Sequence, residues 1–145
     1  AVGERLTLDE VEGAVVAAAN ASGARIGEWH VGAVFAGELG WHQYVVEFAG
    51  PPADPVDFRA RLDDDLRRRN ADYDAHRGPG SGLPAPELVA VRPGAFEAWM
   101  RRRGKLGGQN KVPRMDAGGA LTRDLLDFVR DAGWVESEAA PGDPP

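Results

Sequence analysis

Two stretches typical of β-strands lie close together in the first third of the sequence. Residues 25–35 and 41–48 are rich in valine, isoleucine, aromatic and histidine side chains, and only five residues, Ala36 to Gly40, separate them. A parallel pair of strands would need a crossover of about a dozen residues or more, so such a short connection favours antiparallel pairing. The sequence therefore predicts a β-hairpin.

Four helices are predicted beside this hairpin. The first begins at Thr7, whose hydroxyl has the spacing of a capping box with the carboxylate of Glu10, and it ends near Gly23. The second begins at Asp54, an N-cap residue followed by Pro55. The other two carry apolar residues at helical spacing, namely Phe96, Trp99 and Met100 in the third and Leu121, Leu125, Phe128 and Val129 in the last.

The order of the elements gives the fold class. Leu88 to Val91 predicts one more, buried strand, so the order is helix, strand, strand, helix, strand, helix, helix. This order favours an α+β fold in which a small, largely antiparallel sheet of about three strands packs with helices. Residues 1–135 are predicted to form this single domain, because 145 residues suit one core but not two. The acidic, proline-rich residues 136–145 are predicted to be a disordered tail.

The composition argues against several classes of function. A formal net charge of -6 argues against sequence-independent nucleic-acid binding, which needs a basic surface. The absence of cysteine excludes disulfides, thiolate nucleophiles and cysteine-based zinc sites. No apolar run approaches the roughly eighteen residues of a membrane span, and the N-terminus lacks the apolar segment of a signal peptide. We therefore expect a cytoplasmic protein that binds neither nucleic acid nor membrane.

The charge run Asp63 to Arg69 and the histidines are predicted to be structural. The run DDDLRRR could gather carboxylates for a metal or arginines for phosphate, but three consecutive residues point in three directions on a helix. A solvated face in which each aspartate pairs with the arginine four residues later is favoured. His30, His42 and His76 lack metal-ligand spacing. His30 and His42 could face each other across the hairpin, and half-buried structural positions are favoured for them.

One stretch stands out as a candidate site. Gly104 to Arg114, GKLGGQNKVPR, contains both lysines of the chain, Lys105 and Lys111, whereas the other fifteen of the 17 basic residues are arginine. Its glycines allow the backbone to approach a ligand closely, and a lysine ammonium is a compact charge suited to phosphate or a developing oxyanion. An anion-contacting loop and an ordinary surface loop are equally consistent with these residues.

Four stretches together resemble a known family. Gln109 to Arg114 resembles the Q-x-K-x-P-R signature near the end of the auxin-responsive acyl acid amido synthetases, the Gretchen Hagen family. Gly3 to Thr7 resembles the G-E-K-L-[ST] that opens the family's C-terminal domain. Asn70 to Tyr73 resembles the N-x-x-Y that ends its middle helix, and Pro93 to Glu97 resembles the P-G-T-F-E before its last long helix. These stretches keep the family's order and span roughly residues 3–115.

The resemblance implies the C-terminal lid domain of an adenylate-forming enzyme. In this family a carboxylic acid is adenylated with ATP and Mg²⁺, and an amino acid then displaces AMP to give an amide. A large N-terminal domain holds ATP and the acid, while the small domain closes over them between the half-reactions. Because the resemblance covers only the small domain, we expect it to bind no cofactor and to have no activity alone. Its expected partner is the large domain, covalent or in trans, with small acid and amino acid substrates.

The resemblance also assigns roles within the candidate stretch. Lys111 matches the lysine of the signature and is the predicted catalytic residue, because a delivered cation offsets the repulsion between a carboxylate and the α-phosphate. Lys105 lies outside the signature, which leaves open a phosphate or pyrophosphate contact or no role. Arg114 is either a ligand contact or a structural ion pair. The other predicted nucleotide or substrate contacts are Gly107, Gly108 and Gln109.

The alternative function is a stand-alone binding module without catalytic activity. Such a module would keep the lid fold and contact a protein or a small acid through the same loop. A neighbouring coding region for a large adenylating domain would favour the enzyme. A complete reading frame starting near Ala1 without such a neighbour would favour the module.

Overall fold

The computed structural model of the chain describes residues 6–36, 39–50, 54–80, 82–105 and 111–142. These residues form three layers, in which a five-stranded sheet lies between a layer of three helices and a layer of two. The elements are α1 (Leu8–Ser22), β1 (Arg25–Ala36), β2 (Leu39–Gly50), α2 (Pro55–Arg69), α3 (Ala71–Arg77), β3 (Glu87–Val91), α4 (Ala95–Arg102), β4 (Met115–Asp116), α5 (Ala120–Asp131) and β5 (Val135–Ala139).

The sheet has the strand order β4-β1-β2-β3-β5. β1 and β2 pair antiparallel, as the short connection predicted, and β5 pairs antiparallel with β3. β3 runs parallel to β2, and β4 runs parallel to β1. The α+β prediction is confirmed, but the sheet is mixed and has five strands rather than about three. Part of the difference is that β4 has only two residues, which is too short for any periodic pattern in the sequence.

The fifth strand corrects the prediction of a disordered tail at residues 136–145. Val135–Ala139 forms β5 and pairs along β3 through backbone hydrogen bonds, which do not depend on the acidic side chains of this strand. The buried guanidinium of Arg59 donates to the carbonyl oxygens of Pro86, at 3.0 Å, and Ala140, at 2.6 Å. It thereby ties the end of β5 to the start of β3. The last three residues of the chain lie outside the described part.

The predicted helix starts are confirmed, with one additional break. The hydroxyl of Thr7 accepts from the N–H of Glu10, whose carboxylate accepts from the N–H of Thr7, so the capping box is complete. Gly23, with φ at 72°, ends α1, and the Asp54 carboxylate caps α2. The second predicted helix, whose apolar side was expected to continue from Phe58 to Tyr73, is broken at Asn70, where the backbone becomes extended and the amide side chain caps the short α3.

Alternate side chains of the strands enter two separate cores. The core beneath α1, α2 and α3 includes Trp29, Tyr44 and Leu88 from the sheet. The core beneath α4 and α5 includes Val45 and Val89 from the sheet, together with Phe96, Trp99, Met100, Leu125, Leu126 and Val129 from the helices. The aromatic residues of α4 are therefore packing residues. No helix among the described residues has the length and apolar composition needed to cross a bilayer.

The charge run of α2 is partly buried and only one of its three predicted pairs is present. Asp65 pairs with Arg69, four residues later, as predicted. Asp63 is buried and instead accepts from the hydroxyl of Tyr73, at 2.6 Å, and from the guanidinium of Arg77, at 2.7 Å. The prediction of a solvated face was wrong at Asp63, because its partners lie on α3 and were not visible from spacing within α2.

The two strand histidines are fully buried and lie on opposite faces of the sheet. His42 is opposite Ala33 in the hairpin, and His30 is opposite Val45, so the histidines do not face each other. The ring of His42 stacks on that of Tyr73 in the larger core, with centroids 5.9 Å apart. His30 lies edge-on to Trp99, beneath α4. The alternation of side chains along β1 and β2 thus separates the two imidazoles.

Burial of His42 makes stability depend on pH. Burial lowers the pKa of His42 from 6.5 to about 4, so between these pH values the unfolded chain binds a proton that the folded chain does not. We expect the free energy of unfolding to fall by about 3 kcal/mol as the pH is lowered across this interval. Urea denaturation at a series of pH values measures this decrease.

A His42→Leu variant is the control for this dependence. His42 Nε2 has no hydrogen-bond partner in the described structure, so leucine removes no bond there. The variant should lose most of the decrease in stability between pH 6.5 and pH 4. An equally steep decrease in the variant would show that other groups cause it.

Candidate functional site

Both lysines of the chain line one open cleft of about 640 Å³ beside α4 and the start of β4. Arg114, a third predicted site residue, lines the same cleft. Three further predicted residues, Gly107, Gly108 and Gln109, lie outside the described residues. An apolar part of the described lining is formed by Phe96, Met100 and Val112. An acidic part is formed by Glu28, Glu47 and Glu97.

Lys105 stands at a fixed point where α4 ends. Gly104 has a left-handed φ of 70°, and its N–H donates to the carbonyl of Arg101 at 3.0 Å. The N–H of Lys105 donates to the carbonyl of Met100 at 2.8 Å. These two bonds form a Schellman motif, which fixes the backbone of Lys105 relative to the helix. Its exposed side chain extends from this base over the cleft.

The segment that follows Lys111 is held against β1. The N–H of Val31 donates to the carbonyl of Arg114 at 2.8 Å. The Arg114 guanidinium donates to the carbonyl of Trp29, at 2.8 Å, and to a carboxylate oxygen of Glu28, at 2.6 Å. It also lies over the Trp29 ring, 5.0 Å from the centroid. Arg114 is thus engaged in a structural ion pair, and Lys111 precedes an anchored segment by only a few residues.

Each carboxylate of the cleft already has a partner. Glu28 pairs with Arg114, and Glu97 pairs with Arg101 at 3.1 Å. Glu47 accepts at 3.1 Å from a backbone N–H in the first turn of α4, whose N-cap residue is a glycine without a capping side chain. By contrast, neither lysine has an ion-pair partner among the residues that the structure describes.

The cleft is therefore suited to an anionic ligand. Two ammonium groups that have no carboxylate partner among the described residues contribute local positive charge in a chain of net charge -6. The apolar lining keeps part of the cleft free of competing hydrogen-bond donors and strengthens electrostatic contacts with a bound group. Within the described part of the chain, no group of His, Asp and Glu side chains has the arrangement of a metal site.

Sequence reasoning missed three residues that support this cleft. His30 contacts the carbonyl oxygen of Pro113 through Nδ1, at 2.7 Å, and the hydroxyl of Thr122 through Nε2, at 2.7 Å. The carboxylate of Asp116 accepts from the backbone N–H groups of Leu121 and Thr122 at the start of α5. The partners of His30 are 83 and 92 residues away in sequence, so no local spacing could have revealed them.

Comparison with known proteins gives the family. The sequence model of the GH3 family C-terminal domain matches residues 9–117. Two solved structures similar to this chain are "GH3.15 acyl acid amido synthetase", with 18% identity, and "AtGH3.15 acyl acid amido synthetase in complex with 2,4-DB", with 19% identity. Each has a TM-score of 0.66 and is matched over 94% of this chain. The chain spans 24% and 25% of their lengths. No curated protein matches the sequence.

These matches agree with the stretches that first indicated the family. The family match includes Lys111 and the rest of the Q-x-K-x-P-R stretch, and it covers most of the chain. The structural similarity supports the same fold over nearly the whole chain. The chain therefore belongs to the GH3 family, and the part of the family that it contains is the C-terminal domain.

Proposed function

We propose that this chain is the lid domain of an ATP-dependent acyl acid amido synthetase and delivers Lys111 to groups bound by a separate large domain. The observation that carries the proposal is the cleft, where, within the described parts of the chain, the two lysines have no carboxylate partner while each glutamate is engaged. The similar solved structures are acyl acid amido synthetases about four times as long as this chain. The remaining parts of the active site are thus assigned to the large domain.

Lys111 would act through its charge. ATP, when bound, supplies the adenylyl group that activates the carboxylic acid. The carboxylate must approach a phosphate of the same sign, and an ammonium held beside both lowers the repulsion in the transition state. The side chain of Lys111 is exposed and reaches into the cleft, so closure of the lid can bring it to the reacting groups.

Lys105 would provide a second phosphate contact. Its backbone is fixed by the Schellman motif at the end of α4, so its ammonium extends from a rigid base. A phosphate or pyrophosphate held there would lie in the same cleft as Lys111. Mg²⁺ needs oxygen ligands, and the carboxylates of the cleft already have partners, whereas its lysines are positively charged. We therefore assign Mg²⁺ to the large domain.

Reconstitution from separate domains tests this function. The 145-residue chain alone should give no ATP–pyrophosphate exchange, and exchange should rise severalfold or more when it is mixed with a large domain of the same family. Amide formation from an acid and an amino acid should follow the same pattern. If the chain changed neither rate, the enzymatic proposal would be wrong, and the stand-alone binding module would be favoured.

A further inference from the structure

We infer that His30, supported by Thr122, is a positioning residue for Lys111. It holds in place residues 112–114, the anchored segment from which Lys111 extends. This inference rests on the proposed function of Lys111 for its consequence in catalysis. The hydrogen bonds that carry it are properties of the chain alone.

The two bonds of His30 define the tautomer of its ring. The carbonyl oxygen of Pro113 can only accept, so Nδ1 carries the proton and donates to it. In the neutral ring Nε2 is then an acceptor, so the hydroxyl of Thr122 donates to it at 2.7 Å rather than to the carboxylate of Asp116, which lies farther away at 3.4 Å. Burial lowers the pKa of His30, although the carbonyl of Pro113 and the charge of Asp116 act in the opposite direction. The neutral ring fits both partners.

Thr122 is itself held where its hydroxyl can reach the imidazole. A Cβ atom at position 32 would collide with the Thr122 hydroxyl, so Gly32 in β1 leaves the space that this hydroxyl occupies. The carboxylate of Asp116 accepts from the N–H of Thr122 at 3.1 Å and caps α5. Thr122 is 1% exposed and His30 is 0% exposed, so water does not compete for the bond between them.

The position of Pro113 connects this network to the catalytic lysine. Lys111 precedes Pro113 by two residues, so their Cα atoms are no more than about 7.6 Å apart. Pro113 also restricts the backbone of Val112 to extended conformations, which limits the directions in which Lys111 can leave the anchored segment. Fixing the Pro113 carbonyl therefore reduces the volume that the Lys111 ammonium can occupy.

Two substitutions of His30 separate its two bonds. The amide nitrogen of asparagine takes the place of Nδ1, so His30→Asn keeps a donor for the Pro113 carbonyl. The amide nitrogen of glutamine takes the place of Nε2, so His30→Gln keeps a polar group beside the Thr122 hydroxyl but loses the donor to the Pro113 carbonyl. If His30 acts by holding Pro113, asparagine should rescue the effect and glutamine should not.

The first test uses the whole chain without a partner. In His30→Gln, amide exchange at Val31, which donates to Arg114, should accelerate about tenfold, and the ¹H–¹⁵N heteronuclear NOE of Lys111 should fall. In His30→Asn the exchange rate at Val31 and the NOE of Lys111 should both stay near their wild-type values. The exchange rates of the amides that pair β2 with β3 should be unchanged in either variant. Unchanged NOE values at Lys111 in His30→Gln would overturn the inference. If His30→Gln does not fold, Thr122→Val with Thr122→Ser as its control gives the same comparison.

The second test is a double-mutant cycle in the reconstituted enzyme. His30→Gln should lower kcat for adenylation about tenfold when Lys111 is present and should have no further effect when Lys111 is alanine. A residue that only stabilises the fold would lower kcat equally in both backgrounds, and that result would overturn the positioning role. If Lys111→Ala alone has no effect, the proposed function fails instead, so the two failures are distinguishable.

Discussion

Replacing Lys111 with alanine is expected to lower the adenylation rate of the complete enzyme by about 100- to 1,000-fold, the usual effect of removing one preorganised charge-stabilising group. The loss should appear in kcat, because the cation is proposed to act on the transition state more than on bound substrate. ATP–pyrophosphate exchange at saturating substrate concentrations measures it. Lys111 is exposed and has no ion-pair partner among the described residues, so the variant should unfold at the same urea concentration as wild type.

Two further variants make this prediction specific to the position and the shape of the charge. Lys105→Ala removes the other lysine of the same cleft and should have a smaller effect on kcat, because Lys105 is proposed to hold a phosphate away from the reacting atoms. Lys111→Arg keeps the charge but replaces a compact ammonium by a planar guanidinium, so it should restore only part of the rate. Equal losses in Lys105→Ala and Lys111→Ala would contradict the separate roles.

Replacing Asp63 with alanine is expected to have the largest effect on stability, about 3 to 5 kcal/mol, because it breaks a buried ion pair by removing one partner. The side chains of Asp63 and Arg77 are 8% and 6% exposed, and the hydroxyl of Tyr73 also donates to this carboxylate. The bonds join α2 to α3, so their loss should loosen that layer. Urea denaturation monitored by circular dichroism measures the free energy of unfolding.

The neighbouring residue provides a matched control for this effect. Asp64→Ala makes the same chemical change one residue later, at an exposed position of α2. Its effect on the free energy of unfolding should stay within about 0.5 kcal/mol, as is usual for surface substitutions. Similar losses in the two variants would show that the charge of the helix, not the buried network, is responsible.

Local features of the fold could be predicted from the sequence because their partners are close in the chain. The capping box of Thr7 and Glu10 and the hairpin of β1 and β2 depend on residues a few positions apart. β5 and the partners of Asp63 could not be predicted in this way. An acidic strand is stabilised by backbone pairing with β3, and Asp63 is stabilised by residues of α3, both of which depend on the tertiary fold.

The candidate site could also be predicted only in part from the sequence. The unusual lysine usage singled out Lys105 and Lys111, and the resemblance of four stretches to one family gave Lys111 its proposed role. Only the fold shows that both lysines line one cleft and that the glutamates there already have partners. No pattern in the sequence indicated His30 as a support for this segment, because its two partners become neighbours only when β4 and α5 pack against β1.

The most direct test of the central claim restores the lysine chemically. The chain has no cysteine, so Lys111→Cys creates a single thiol that 2-bromoethylamine alkylates before the chain is mixed with the large domain. Alkylation gives a side chain of nearly the length of lysine, ending in an ammonium group. The unmodified variant should be as impaired in ATP–pyrophosphate exchange as Lys111→Ala, and alkylation should restore most of the wild-type rate. Full activity without alkylation, or no recovery after it, would contradict the account.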